Sequence, residues 1–226
     1  KKIKPDYKNY KYTDRMPIYC KPEDLREDQL ELLLENKHFC ILPWIHLHGF
    51  PDGRAYPCCL SDMWKPIGDF RKNTMEEVWN QDKYKTMRRN MLEDKPCVEC
   101  TKCYEQEENG FFSMRVSANK HFGHKITLVD ETNPDGSLES MKISYWDIRF
   151  SNLCNLKCRI CGSWSSSKWA EEELAYMPVT FNKKEHIAYK WLKDGAWPRK
   201  SEVFWDNLKT LLPNIKYFEF TGGEPW

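Results

Sequence analysis

The chain contains no apolar run approaching the ~18 residues that a membrane-spanning helix requires, and its opening Lys1-Lys2-Ile3-Lys4-Pro5 leads into no apolar signal core. Both absences point to a cytoplasmic protein. It also lacks a surplus of charge, because 35 Lys and Arg face 34 Asp and Glu for a net charge of +1. That balance excludes the strongly basic footprint of a dedicated nucleic-acid binder. No internal repeat is visible. What remains is 226 residues that are 40% hydrophobic, 31% charged and 14% aromatic, a composition adequate for a packed core in one or two domains.

Ten cysteines stand out against this background. Cys20 and Cys40 are isolated, whereas Cys58-Cys59, Cys97/Cys100/Cys103 and Cys154/Cys158/Cys161 are tightly grouped. Gaps of two residues suit convergence on a metal centre better than disulfides, which favour small secreted scaffolds and do not persist in a reducing cytosol.

The apolar pattern orders the elements. Residues 22–37 read as a helix with Pro22 in its first turn and Leu25, Leu30, Leu33 and Leu34 on one face. Residues 44–50 and 54–59 read as a hairpin around Pro51-Asp52-Gly53, where Asp-Gly supplies the backbone of a tight turn. Thr74 and Glu77 form a capping box for a helix burying Met75, Val78 and Trp79, and a second helix is predicted over 83–92, its Lys and Arg residues forming a solvated face. Residues 133–137, Asn-Pro-Asp-Gly-Ser, mark a linker. Beyond it come a strand at 142–150, a helix at 165–176, an excursion at 177–200 of undefined structure, a helix capped by Ser201 with Val203, Phe204, Leu208, Leu211 and Leu212 as its stripe, and a strand at 215–220. The last part is a β-α-β unit, for which parallel pairing is expected.

The sharpest motif is Cys154-Asn155-Leu156-Lys157-Cys158-Arg159-Ile160-Cys161, on the loop leaving the first of these strands. Three thiolates can hold three irons of a [4Fe–4S] cube and leave the fourth open, unlike the four-cysteine ligation of electron-transfer clusters. With this spacing the chain resembles the radical S-adenosylmethionine enzymes. Their pattern usually has an aromatic residue before the third cysteine, where this chain has Ile160. A second match is Thr221-Gly222-Gly223-Glu224-Pro225, similar to the family's glycine-rich turn that cradles the methionyl amino group. The resemblance implies a (β/α) barrel, here its first part, with Cys154, Cys158 and Cys161 on the catalytic cluster. It implies S-adenosylmethionine at Gly222, Gly223, Glu224 and Pro225, an external electron donor, and a 5′-deoxyadenosyl radical that takes hydrogen from a substrate.

Cys40, Gly53 beyond twelve intervening residues, Cys58 beyond four more, and Cys97, Cys100 and Cys103 resemble the auxiliary-cluster domains called SPASM and its shortened form, twitch. The similarity covers most of residues 38–116. It implies a second [4Fe–4S] cluster on Cys40, Cys58, Cys100 and Cys103, and, since relatives with such domains commonly modify peptides or proteins, a peptide or protein substrate. Adjacent strand residues point to opposite faces, so Cys58 and Cys59 are not expected to share a cluster. The organisation expected is α/β: a helical segment at 1–37, a small α+β cysteine-rich domain at 38–130, a linker at 131–141 and the barrel part at 142–226. Because the chain starts at Lys1 and stops at the glycine turn, it reads as a fragment. The competing class is a non-catalytic scaffold stabilised by zinc, which would use the same thiols. His46 and His48, two apart on the first hairpin strand, are expected to share a face as polar strand residues, with a metal pair as the alternative. Trp44, Trp64, Trp79 and Trp146 are expected in the core.

Overall fold

A computed structural model of the chain describes residues 14–223. In chain order its helices are α1 (Glu27–Leu30), α2 (Leu42–Ile45), α3 (Met75–Trp79), α4 (Asp82–Leu92), α5 (Thr101–Glu108), α6 (Met114–Phe122), α7 (Ser167–Tyr176), α8 (Ile187–Asp194) and α9 (Glu202–Leu211). Its strands are β1 (His46–Gly49), β2 (Arg54–Tyr56), β3 (Gly68–Asp69), β4 (Tyr145–Ile148) and β5 (Tyr217–Phe220). The described residues form two compact units, one gathering the chain up to 45 with 60–62 and 82–141, the other 46–59, 63–81 and the chain from 142 onward. No helix among the described residues is long and apolar enough to cross a membrane.

The first unit is helical. The helix expected over 22–37 is broken into a 3₁₀ turn at Pro22–Asp24, α1, and a π-turn at Glu31–Glu35. The break falls at Leu25 and Arg26, both extended, where the Arg26 guanidinium is held by Asp28 and by Asp130 at 2.7 Å. Leu30, Leu33 and Leu34 are buried as the apolar spacing requires. On α4, Tyr84, Met87 and Met91 are buried, and so is Arg88, contrary to a fully solvated basic face. Arg88 is tolerated there because its Nε donates to the Pro43 carbonyl at 2.9 Å and its Nη1 to that of Gly136 at 3.2 Å, which satisfies donors that water would otherwise serve.

The second unit is built on a five-stranded mixed sheet of order β3-β2-β1-β4-β5. The hairpin forms as predicted, with Gly53 at φ +88° and its N–H bonded to the Phe50 carbonyl at 2.9 Å. Its first strand is shorter, because residues 42–45 form the single helical turn α2. β4 and β5 pair in parallel as the β-α-β reading expects. The sheet is wider than that reading, however, because β1 also runs parallel to β4, from His46 opposite Tyr145 to Gly49 opposite Ile148. The hairpin and α3 therefore fold with residues 142 onward, and the compact units do not follow the chain order expected from a linker at 131–141. Pairing on both edges leaves β1 no exposed backbone, and the approach at Gly49 is close enough that a Cβ there would lie 2.8 Å from Ile148.

Local signals read from sequence recur in the helices. Thr74 Oγ1 accepts the Glu77 N–H at 3.2 Å while the Glu77 carboxylate accepts that of Thr74 at 2.9 Å, and Met75, Val78 and Trp79 are buried. Ser166 and Ser201 cap α7 and α9. On α9, Phe204, Leu208 and Leu211 are buried, whereas Val203 and Leu212 face solvent. The excursion at 177–200 contains α8, whose Ala188 packs with Ala170 and Leu174 of α7. Trp44, Trp79 and Trp146 are core residues, but Trp64 is 68% exposed.

Candidate functional site

β4 delivers the chain into the cysteine loop at its carboxyl end, the edge where parallel α/β sheets hold their ligands. The loop backbone is fixed by the start of α7. Ser167 Oγ donates to the Cys154 carbonyl at 3.1 Å, Ser166 Oγ to that of Leu156 at 2.6 Å, and Trp169 Nε1 to that of Cys158 at 3.0 Å. Buried Asn152 adds its Nδ2–H to the Ser163 carbonyl at 3.2 Å. With its polar backbone so engaged, the loop leaves Cys154 and Cys161 partly accessible and Cys158 exposed. Slight burial raises the Cys161 thiol, and the neighbouring Cys158 and Cys154 raise it further. Ile160, where the resembling family has an aromatic residue, is 94% exposed.

The glycine turn follows β5 and meets the same loop. Gly222 and Gly223 have φ of +76° and +63°, and the Gly223 N–H donates to the Ser165 carbonyl at 2.9 Å. A Cβ on Gly223 would lie 2.7 Å from the Ser151 carbonyl oxygen and 2.8 Å from that of Leu153, so only glycine fits. Glu224 and Pro225 lie outside the described residues.

Sequence reasoning missed a polar layer on one sheet face. Register places His46, Tyr145 and Tyr217 in one row and His48, Asp147 and Glu219 in the next. His48 Nδ1 lies 2.8 Å from the Asp147 carboxylate, both side chains being buried, and the Thr221 hydroxyl donates to that carboxylate at 2.9 Å. Tyr145 donates its hydroxyl to Glu219 at 2.5 Å. Burial alone would raise the Asp147 carboxyl, yet His48 and Thr221 hold it below its ordinary value. Burial pushes His46 down to about 4; its Nδ1 sits 3.0 Å from the Tyr145 carbonyl. The two histidines share a face as expected, and both are buried. Asp147 was the available signal, a carboxylate in the middle of an otherwise apolar strand.

Cys40, Cys97, Cys100 and Cys103 belong to the first unit, Cys58 and Cys59 to the second. Cys40 and Cys103 are both buried and interact electrostatically: burial pushes the Cys40 thiol up to about 12, and Cys103 adds to the rise. Cys100 caps α5 one turn before Cys103. Beside them Arg115, buried, donates its Nε to Glu107 at 2.8 Å and its Nη1 to the Phe39 carbonyl at 2.9 Å. Cys97 instead turns its thiol to the Met87 carbonyl at 3.7 Å. Since β2 ends at Tyr56, Cys58 and Cys59 sit in the turn beyond it, so strand alternation does not govern which way they point. Burial, with Asp147 and Glu219 nearby, pushes Cys59 up to about 11. Cys20 stands apart as a half-buried thiol.

These surroundings set an order of reactivity, because the thiolate is the nucleophile. In the metal-free chain at mildly alkaline pH, iodoacetamide is expected to modify Cys158 first and Cys40 and Cys97 last, burial pushing both of these up to about 12. Peptide mass spectrometry over time checks the order, and equal rates for Cys40 and Cys158 would contradict the burial described.

No group of three or more His, Cys, Asp or Glu side chains among the described residues is arranged to hold a single metal ion. A cube asks for something different, since each thiolate binds its own iron, and a loop presenting three neighbouring thiols suits that donor set. Neither a curated protein nor a solved structure matches the chain. Residues 40–104, a stretch running through both compact units, match the SPASM family, an iron–sulfur cluster-binding domain typical of the auxiliary clusters of radical S-adenosylmethionine enzymes.

Proposed function

We propose that this chain is a radical S-adenosylmethionine enzyme with an auxiliary iron–sulfur cluster. The observation that carries the reading is the junction of two motifs at the carboxyl ends of neighbouring parallel strands. The loop of Cys154, Cys158 and Cys161 leaves β4, the Gly222-Gly223 turn leaves β5, and Gly223 is locked onto the loop through Ser165. The SPASM match supports the auxiliary cluster.

Cys154, Cys158 and Cys161 would hold the catalytic [4Fe–4S] cluster and leave one iron open to the amino and carboxylate groups of the cofactor. Gly222 and Gly223 would let that methionyl end approach the backbone without a side chain between; Glu224 and Pro225 complete the motif. When bound and reduced by an external donor, the cluster and cofactor together supply a 5′-deoxyadenosyl radical that takes hydrogen from a substrate, proposed to be a peptide or protein. Cys40, Cys100 and Cys103, with Cys58, are the proposed ligands of the auxiliary [4Fe–4S] cluster. The carboxylates of Asp147 and Glu219 are held by His48 and Tyr145 on the sheet face between the strand ends.

Anaerobic reconstitution followed by electron paramagnetic resonance tests the reading. Addition of S-adenosylmethionine to the reduced protein is expected to change the signal of one cluster and leave the other unaltered. A spectrum indifferent to saturating cofactor, or a colourless protein that binds zinc without sulfide, would reject it.

A further inference from the structure

Helix α6 carries no cysteine and lies beyond residues 40–104, the stretch that matches the iron–sulfur domain. Its polar residues are nevertheless turned inward. Ser113, which caps it, is 2% exposed, and Arg115 and Asn119 are each 3% exposed. Burial of such groups is costly unless each finds partners, and here the partners are the segments that carry Cys40 and Cys103.

Asn119 clasps the chain on both sides of Cys40. Its Nδ2–H donates to the Phe39 carbonyl at 3.0 Å, and its Oδ1 accepts the Ile41 N–H at 2.9 Å. Arg115, one turn earlier on the same helix face, reaches the same place: Nη1 donates to the Phe39 carbonyl at 2.9 Å and to that of Asn36 at 3.4 Å. Its Nε donates to Glu107 at 2.8 Å, and Glu107, one turn after Cys103 on α5, also accepts the Ser113 hydroxyl at 2.6 Å. One guanidinium thus ties the Cys40 segment to the helix of Cys103, a task suited to its rigid fork of donors. The start of α6 also meets Cys103 itself, because burial raises that thiol while the Arg115 N–H and the Ser113 hydroxyl act against the rise.

We infer that Arg115 and Asn119 are positioning residues of the auxiliary centre, holding Cys40 beside Cys103 before any metal arrives. Preorganisation of this kind lowers the ordering cost of binding. As a statement about the cluster the inference rests on the proposed function; as a statement about the metal-free chain it does not, and the two parts are tested separately.

In the full metal-free chain, Asn119→Ala is expected to speed iodoacetamide modification of Cys40 by about tenfold, the effect of losing one buried hydrogen bond, and to leave Cys97 near its parent rate. Burial pushes both thiols up to about 12, and Cys97 faces the Met87 carbonyl instead of α6, so the ratio of the two rates cancels any general loosening of the unit. Equal acceleration of both thiols, or of neither, would overturn the inference. Should Asn119→Ala disturb folding, Arg115→Lys, which keeps the charge and loses the fork, reads the same ratio. Reconstituted with Cys154, Cys158 and Cys161 changed to alanine, so that only the auxiliary cluster is read, either variant should release iron to a chelator about 10–100-fold faster than its parent. Ile126→Val, a change at a fully buried side chain of the same unit, should not. Equal acceleration by Ile126→Val, or release from both variants at the parent rate, would overturn the positioning role at the cluster. A chain that shows the Cys40 effect yet assembles no auxiliary cluster would reject that part of the proposed function and leave the positioning of the two thiols standing.

Discussion

Changing Cys154, Cys158 and Cys161 together to alanine is expected to abolish S-adenosylmethionine cleavage and to lower the iron content of the reconstituted protein from about eight to about four, the content of one cube. The variant is a clean test because the loop backbone is held mainly by other side chains, the one thiol contact being the Leu156 N–H on Cys154 Sγ at 3.4 Å. Ser166, Ser167, Trp169 and Asn152 hold the backbone through the carbonyls of Leu156, Cys154, Cys158 and Ser163. Circular dichroism and the thermal midpoint should therefore stay close to those of the parent while the chemistry disappears. The remaining iron should keep a signal that ignores S-adenosylmethionine, as a fully ligated auxiliary cluster would. Retained cleavage would remove the three cysteines from the catalytic role. Loss of all iron would mean that the residues matched to the iron–sulfur domain hold no cluster independently.

The parts of this molecule that sequence exposes are those fixed by local rules. The Asp52-Gly53 turn, the Thr74–Glu77 capping box and the Ser201 cap of α9 each need only a few consecutive residues, and each forms as read. The loop and turn motifs were legible for the same reason, as short spacings with one chemistry. What sequence hides is the partnership of distant segments. Nothing in residues 46–49 says that they will lie parallel to residues 145–148, since each stretch reads simply as a strand. The same blindness concealed the pairing of His48 with Asp147, because each residue explains its burial only through the other. Arg88 was misread in a related way, its donors being met by carbonyls about 45 residues away in either direction. Breaks in regular structure were also invisible: the apolar face at Leu30, Leu33 and Leu34 is real, but the chain enters it through extended residues instead of a continuous helix.

Asp147→Ala is expected to destabilise the second unit by about 1–2 kcal/mol, because the carboxylate lies against buried His48 and accepts from the half-buried Thr221 hydroxyl, and a lost hydrogen bond to a charged group costs about 1.5–3 kcal/mol when buried and less when partly exposed. His48, with no exposed surface, would lose the oxygen 2.8 Å from its Nδ1, and the Thr221 hydroxyl would lose its acceptor at 2.9 Å. Asp147→Asn keeps an acceptor for Thr221 and should cost less. The effect reaches the proposed cofactor turn, since Thr221 directly precedes Gly222, so the alanine variant should also weaken S-adenosylmethionine binding at temperatures where it remains folded. The two buried groups then separate by pH. Asp147 is held below the ordinary carboxylate value, so its contribution is complete above about 4, the unfolded value, and fades as the pH falls further. His46 is buried neutral and depressed to about 4, so its burial costs nothing above about 6.5 and lowers stability progressively as the pH drops from there towards 4. Urea unfolding of the parent and of Asp147→Asn should therefore show the same decline between pH 6.5 and 4.5, with a constant gap between the curves that begins to close only below about 4. An Asp147→Ala variant as stable as the parent would mean that Asp147 does not hold the strands as described.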